Sequence, residues 1–164
     1  MMVVDATLIS IKVVLIAVIT TFILTLIAVW GIGLNKHKSI RSLDFIFLLP
    51  LFIPPSAIGY LILIILGKNG WIGRFLNQNF NLSIIFTLSA AVIAGIMVSI
   101  PIMYQSIKSA ITSVDEDIIN AARVFGASEW VIWLKIILPL SINGILNGIL
   151  LSFARAFGEF GATI

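Results

Sequence analysis

Four stretches of this chain, roughly 11–34, 45–66, 84–105 and 137–157, are apolar runs of membrane-spanning length. A helix needs about 20 largely apolar residues to cross a hydrocarbon layer of about 30 Å. Inside that layer every backbone donor and acceptor must be satisfied within the segment, so the runs are expected to be helices. Composition agrees. Of the 164 residues, 60% are apolar and 10% charged, with a mean hydropathy of +1.19, values an ordinary water-soluble domain does not tolerate. The first run is too long for a signal-peptide core, and no small-residue cleavage site precedes the polar loop that follows, so it reads as a retained span.

The net charge of +3 and pI of about 9.5 do not point to nucleic acid, because the basic residues stand singly between apolar runs and form no patch. Their use is orientation, since lysine and arginine are held on the cytoplasmic side. Placing Lys36, Lys38, Arg41, Lys108, Arg123 and Lys135 inside leaves Lys68, Arg74 and one or two others outside, a modest bias. The segment 106–136 is then cytoplasmic and 67–83 external. With no cysteine there is no disulfide or thiolate site, and His37, between Lys36 and Lys38, reads as a solvated loop residue without partners at metal-ligand spacing. No cofactor is expected. No Walker A sequence occurs, and Gly67, Gly70 and Gly73 lack the strand context of a nucleotide fingerprint.

Pro54 and Pro55 fall within the second run, where each removes a backbone donor, so the helix must kink or break there. Such a break either exposes backbone to a water-filled path or is satisfied by neighbouring helices. Lys68-Asn69-Gly70 reads as a turn.

Between the third and fourth runs lies a polar island, with Asn120-Ala121-Ala122-Arg123-Val124-Phe125-Gly126 followed by Ile136-Ile137-Leu138-Pro139. Ser113 stands three residues before Glu116 at capping-box spacing, and Asp115 and Asp117 add negative charge to the first turn of a short helix. Gly126 is the left-handed residue expected to end it. Ser128 then caps a second helix carrying Trp130, Val131, Trp133 and Leu134. Two readings stand on residues alone. The helices dock in a groove of a soluble partner, or they lie in the lipid interface, where tryptophan is favoured.

The spacing of Ala121-Ala122, Gly126 and Ile136-x-Leu138-Pro139 resembles the cytoplasmic signature loop of binding-protein-dependent ABC import permeases. The resemblance implies an all-α polytopic membrane protein, with four transmembrane helices of a type I ABC importer permease in a single domain. It also implies a coupling helix held in a cleft of a separate ATP-hydrolysing subunit, the chain itself performing no chemistry. Asn120 replaces the usual glutamate of that loop, and Asn143 stands where a proline is usual, which should leave the start of the fourth span less kinked.

The stretch Leu49-Pro50-Leu51-Phe52-Ile53-Pro54-Pro55, with Gly59-Tyr60-Leu61 and Gly67 through Gly73, is similar to molybdate-type permeases. The segment from Phe153 to Thr163 is similar to molybdate, sulfate and tungstate permeases alike. The implied function is import of a tetrahedral oxyanion across the prokaryotic cytoplasmic membrane. The implied partners are an ABC ATPase, a second permease copy, an extracytoplasmic oxyanion-binding protein and the bilayer.

Asn120, Ala121, Ala122, Gly126, Ile136, Leu138 and Pro139 are the expected ATPase-coupling residues. Pro54, Pro55, Arg155, Gly158, Glu159 and Gly161 are the expected gate or path residues. Arg155 and Glu159, four apart, read as an internal salt bridge that fixes the helix end, or as a gate element lining the anion path. The family pattern also leads to the expectation of a further crossing after Ile164. Two rivals remain: an ion-driven transporter or channel, which wants ionisable groups mid-membrane, and a membrane scaffold that recruits a partner without moving solute.

Overall fold

The computed structural model describes the backbone of residues 2–33 and 44–161, with side chains over 7–31 and 44–159. Lys36, His37, Lys38 and Arg41, and likewise Ala162 and Thr163, lie outside the described residues. Among those described, the regular elements are helical. They are α1 (Met2–Gly33), α2 (Asp44–Leu48) running into a 3-10 turn (Leu49–Phe52), α3 (Pro55–Leu66), α4 (Trp71–Phe80), α5 (Leu88–Thr112), α6 (Glu116–Val124), α7 (Glu129–Leu140) and α8 (Ile142–Gly161). Thr7–Gly31 and Leu88–Thr112 are each long and apolar enough to cross a membrane alone, and two bent helix pairs bring the number to as many as four.

The first bent pair is made by the prolines. A residue preceding proline is pushed out of the helical region, and both Ile53 (ψ 127°) and Pro54 (ψ 142°) are extended. Pro55, with no donor to lose, opens α3. The two pieces meet at 112°, so 45–66 is a sharply folded segment and not a continuous rod.

α5 runs through the middle of the molecule, packed by α1 on one side and α8 on the other, while α1 and α8 also touch. Val14, Val18, Met103, Tyr104, Ile107, Ile145 and Ala156 form the core between them. The contact of α5 with α8 is close because its residues are small. A Cβ added to Gly144 would lie 2.4 Å from the Ala110 Cβ, and one on Gly148 would lie 2.9 Å from the Ser106 Cβ. Apolar side chains gain little from leaving lipid, so membrane helices associate through such small-residue contacts and interhelical hydrogen bonds. Two such bonds flank the glycines. Ser141 Oγ donates to the Ala110 carbonyl at 3.1 Å and Ser152 Oγ to the Ser99 carbonyl at 3.5 Å.

Helix limits depart from the sequence reading at several ends. α5 continues past 105 to Thr112, because Ile107 and Ile111 keep an apolar face on the core. The helix after the polar island breaks at Ser141, with a 68° bend between α7 and α8. A bend is thus present although residue 143 is asparagine. Pro139 and the tie from Ser141 to Ala110 bend the chain without a proline at 143. At the same end of the bundle, the Asp44 carboxylate accepts from Tyr104 Oη and Lys108 Nζ, and the Phe47 ring stacks on Tyr104 at 4.7 Å. These contacts fasten α2 to α5.

Candidate docking hairpin and helix face

The segment between α5 and α8 is a folded hairpin whose stem is closed by Ala110, Ser141 and Gly144. α6 begins at Asp115, whose side chain accepts from the Asp117 amide at 2.9 Å. Ser113 does not take the expected capping role. Its hydroxyl turns back to the Ala110 carbonyl at 2.8 Å, because α5 continues to Thr112 and Ser113 still belongs to that helix end. Glu116 and Asp117 place negative charge on the first turn of α6, and Arg123 lies in its last, both favourable toward the helix dipole.

α6 ends in a Schellman arrangement. The Ala127 amide donates to the Ala122 carbonyl and the Gly126 amide to the Arg123 carbonyl, each at 3.0 Å. Gly126 sits at φ +81°, a region costing an L residue roughly 1–2 kcal/mol, which explains the glycine at this offset. Ser128 caps α7, accepting from the Val131 amide at 3.4 Å. Residues Trp133–Ile137 then form a π turn, closed by a bond from the Leu138 amide to the Trp133 carbonyl. Pro139 has no amide to offer the Lys135 carbonyl, and the wider turn is how the helix accommodates this.

The hairpin sorts its residues into two faces. Ile119, Ala122, Ala127, Ile136 and Leu138 pack against the core, with Ile132 and Trp133 buried beneath them. Asn120, Ala121, Gly126 and Pro139 are exposed. So are Val124 (85%) and Phe125 (89%), which form an apolar tip. Trp130 meets the edge of Trp30 at the end of α1, ring centroids 5.4 Å apart. Arg123 forms a fork onto Glu129, Nε to Oε1 at 2.6 Å and Nη2 to Oε2 at 3.1 Å, and its Nη1 donates to Asn120 Oδ1 at 3.0 Å. Hydrogen bonding from Arg123 holds the Glu129 carboxyl below its usual range.

The second group of candidates is spread over two elements. Pro54 and Pro55 sit at the bend before α3, whereas Arg155, Gly158, Glu159 and Gly161 lie in the last turns of α8. No ion pair joins Arg155 to Glu159 among the described residues, so the internal salt bridge expected from their spacing is absent. Ser152 and Ala156 form the buried stripe of α8, and Arg155 and Gly158 lie outside it, exposed. The same open side carries Asn143 and Asn147, two amides one turn apart that the sequence reading did not single out for the site. Their four-residue spacing within an apolar helix was the available signal. Ala154 and Gly158 lie on the same side of α8, separated from the two amides by the exposed Leu150 and Leu151.

Long apolar helices packed through small residues, with a capped polar hairpin between two of them, define a multi-pass helical membrane protein. Residues 29–164 match the family of binding-protein-dependent transport system inner membrane components, and the chain belongs to that family. It is 45% identical over 116 residues to the molybdenum transport system permease protein ModB of Haemophilus influenzae, covering 71% of this chain and 51% of that protein. It is 38% identical over 160 residues to the protein of the same name from Escherichia coli K12, covering 98% of this chain and 70% of that one. A protein of Prototheca wickerhamii named "Probable sulfate transport system permease protein cysT" is 34% identical over 155 residues, 94% of this chain and 60% of its own length. The chain thus spans about half the length of the Haemophilus relative.

Proposed function

We propose that this chain supplies the membrane path of an ATP-driven importer for a tetrahedral oxyanion, molybdate in the first instance. The observation that carries this reading is the hairpin between α5 and α8. It is a short helix stopped by Gly126 and followed by a second capped helix, with an exposed apolar tip and with its stem locked to the bundle. In this reading the hairpin faces the cytoplasm and docks on an ABC ATPase subunit. Two copies of the permease enclose a central path, and an extracytoplasmic binding protein delivers the anion. Closure of the two ATPase subunits moves residues 113–137, and α8 carries that movement toward the outer gate.

The two exposed amides near the start of α8, Asn143 and Asn147, suit a water-filled path, because uncompensated amides are costly against lipid. Asn143 and Asn147 offer neutral donors to an anion, which lets it pass without being held as firmly as fixed cations would hold it. Sulfate is the second reading, favoured by the Prototheca relative.

Co-purification of the permease with its ATPase subunit tests the docking. Gly126→Trp, which forces a bulky residue into a positive-φ position on the exposed face, is expected to abolish recovery, and Ser56→Ala to retain it. Unchanged recovery with Gly126→Trp would count against the reading. Molybdate uptake competed by tungstate or sulfate ranks the substrates.

A further inference from the structure

We propose that Arg123 and Glu129 form an internal clasp that shapes the docking hairpin, leaving Val124 and Phe125 to make the contact with an apolar cleft of the partner. This rests on the docking reading above. Three of the five guanidinium N–H donors are used within the hairpin, from Nε and Nη2 to Glu129 and from Nη1 to Asn120. Those bonds bridge the turn at Gly126, joining the last two turns of α6 to the first residue of α7. A bidentate arginine–carboxylate pair has a fixed planar geometry, so it sets the angle between the two helices as well as their separation.

The charged groups nearest the tip are thus paired with each other, whereas Val124 at 85% and Phe125 at 89% exposure are uncovered among the described residues. Lipid is not the occupant. From Ser113 to Ser141 the hairpin carries Asp115, Glu116, Asp117 and Glu129 against Arg123 and Lys135, a negative balance that the anionic inner leaflet does not attract. A protein cleft with apolar walls remains. Asn120 fits the same scheme. Its carbonyl accepts from Arg123 without bringing a second negative charge to compete with Glu129, and as an amide it can present a donor instead.

Charge inversion separates a clasp from a contact with the partner. The permease is co-expressed with its ATPase subunit, and recovery is measured for Arg123→Glu, Glu129→Arg and the double variant, alongside amide exchange of residues 120–128. Loss of preorganisation in either single variant is expected to weaken recovery by about threefold to tenfold and to speed exchange. In the double variant the pair re-forms with reversed polarity, Asn120 turning its amide, and both measurements return toward wild type. A double variant whose exchange recovers while docking stays weak would mean that one of these side chains touches the partner, and would overturn the proposal. So would single variants with unchanged exchange. Phe125→Ser is expected to weaken recovery while leaving exchange unaltered. If neither Phe125→Ser nor Gly126→Trp lowers recovery, the docking reading fails by itself, and the exchange data still judge the clasp.

Discussion

Tyr104 on α5 donates its hydroxyl proton to the carboxylate of Asp44, which begins α2, and Lys108 one turn further along α5 donates to the other oxygen of the same carboxylate. Three polar side chains thereby close one end of an otherwise apolar bundle, with the Phe47 ring stacked on Tyr104 beside them. Asp44→Ala removes the common acceptor and leaves a 1% exposed tyrosine without this partner. A loss of roughly 1–3 kcal/mol is expected, nearer the lower figure because Lys108 is partly exposed. Thermal unfolding in detergent, followed by tryptophan fluorescence, measures it.

Gly148→Leu is expected to be more damaging than Gly158→Leu. At 148 the new side chain would meet Ser106 within 2.9 Å and push α8 off α5, costing roughly 1–3 kcal/mol by overpacking. At 158 nothing lies within 4 Å, so the folded chain should be little affected. The same melting experiment compares them. A reduced uptake in Gly158→Leu at normal stability would place that position against the path or a second copy.

Asn147→Leu tests the open side of α8. Molybdate uptake by intact cells is expected to fall at least severalfold while recovery of the ATPase subunit stays at the wild-type level. Normal uptake in this variant would remove Asn147 from the path.

The Arg123–Glu129 pair predicts a pH response confined to acid. Arg123 donates to the Glu129 carboxylate, so the folded value of that carboxyl lies below the ordinary 4.5. A depressed carboxylate contributes order above its unfolded value and loses it as pH falls through the folded one. Amide exchange at 120–128 should therefore be flat from pH 7 to about 5, after correction for intrinsic rates, and rise below that. Glu129→Gln should remove the step.

Much of this fold was legible because membrane helices declare themselves by length and hydropathy, and because prolines break them predictably. Pro54-Pro55 marked the bend, Gly126 the helix end and Ser128 the second cap. Partner-dependent details were not legible. Ser113 and Asp115 are both good capping residues, and only the extent of α5, set by Ile107 and Ile111 against the core, decides between them. The spacing of Arg155 and Glu159 permits a salt bridge but cannot say whether the side chains turn toward each other. The bend at Ser141 depends on its bond to Ala110, thirty-one residues away, which no local pattern encodes.

The glycines at 144 and 148 have one more consequence. Helices this tightly meshed, Cβ on missing Cβ, have no room to slide or rotate past one another without first separating. α5 and α8 therefore behave as a single lever, and the hairpin is its handle, rooted in the same rigid piece at both ends. If the hairpin docks as proposed, force applied at Phe125 would tilt the pair as a unit, and the contact of Trp130 with Trp30 would tie α1 to the movement. On the proposed docking, a displacement at the tip would be carried along this pair toward the far end of α8, where Arg155 and Glu159 stand.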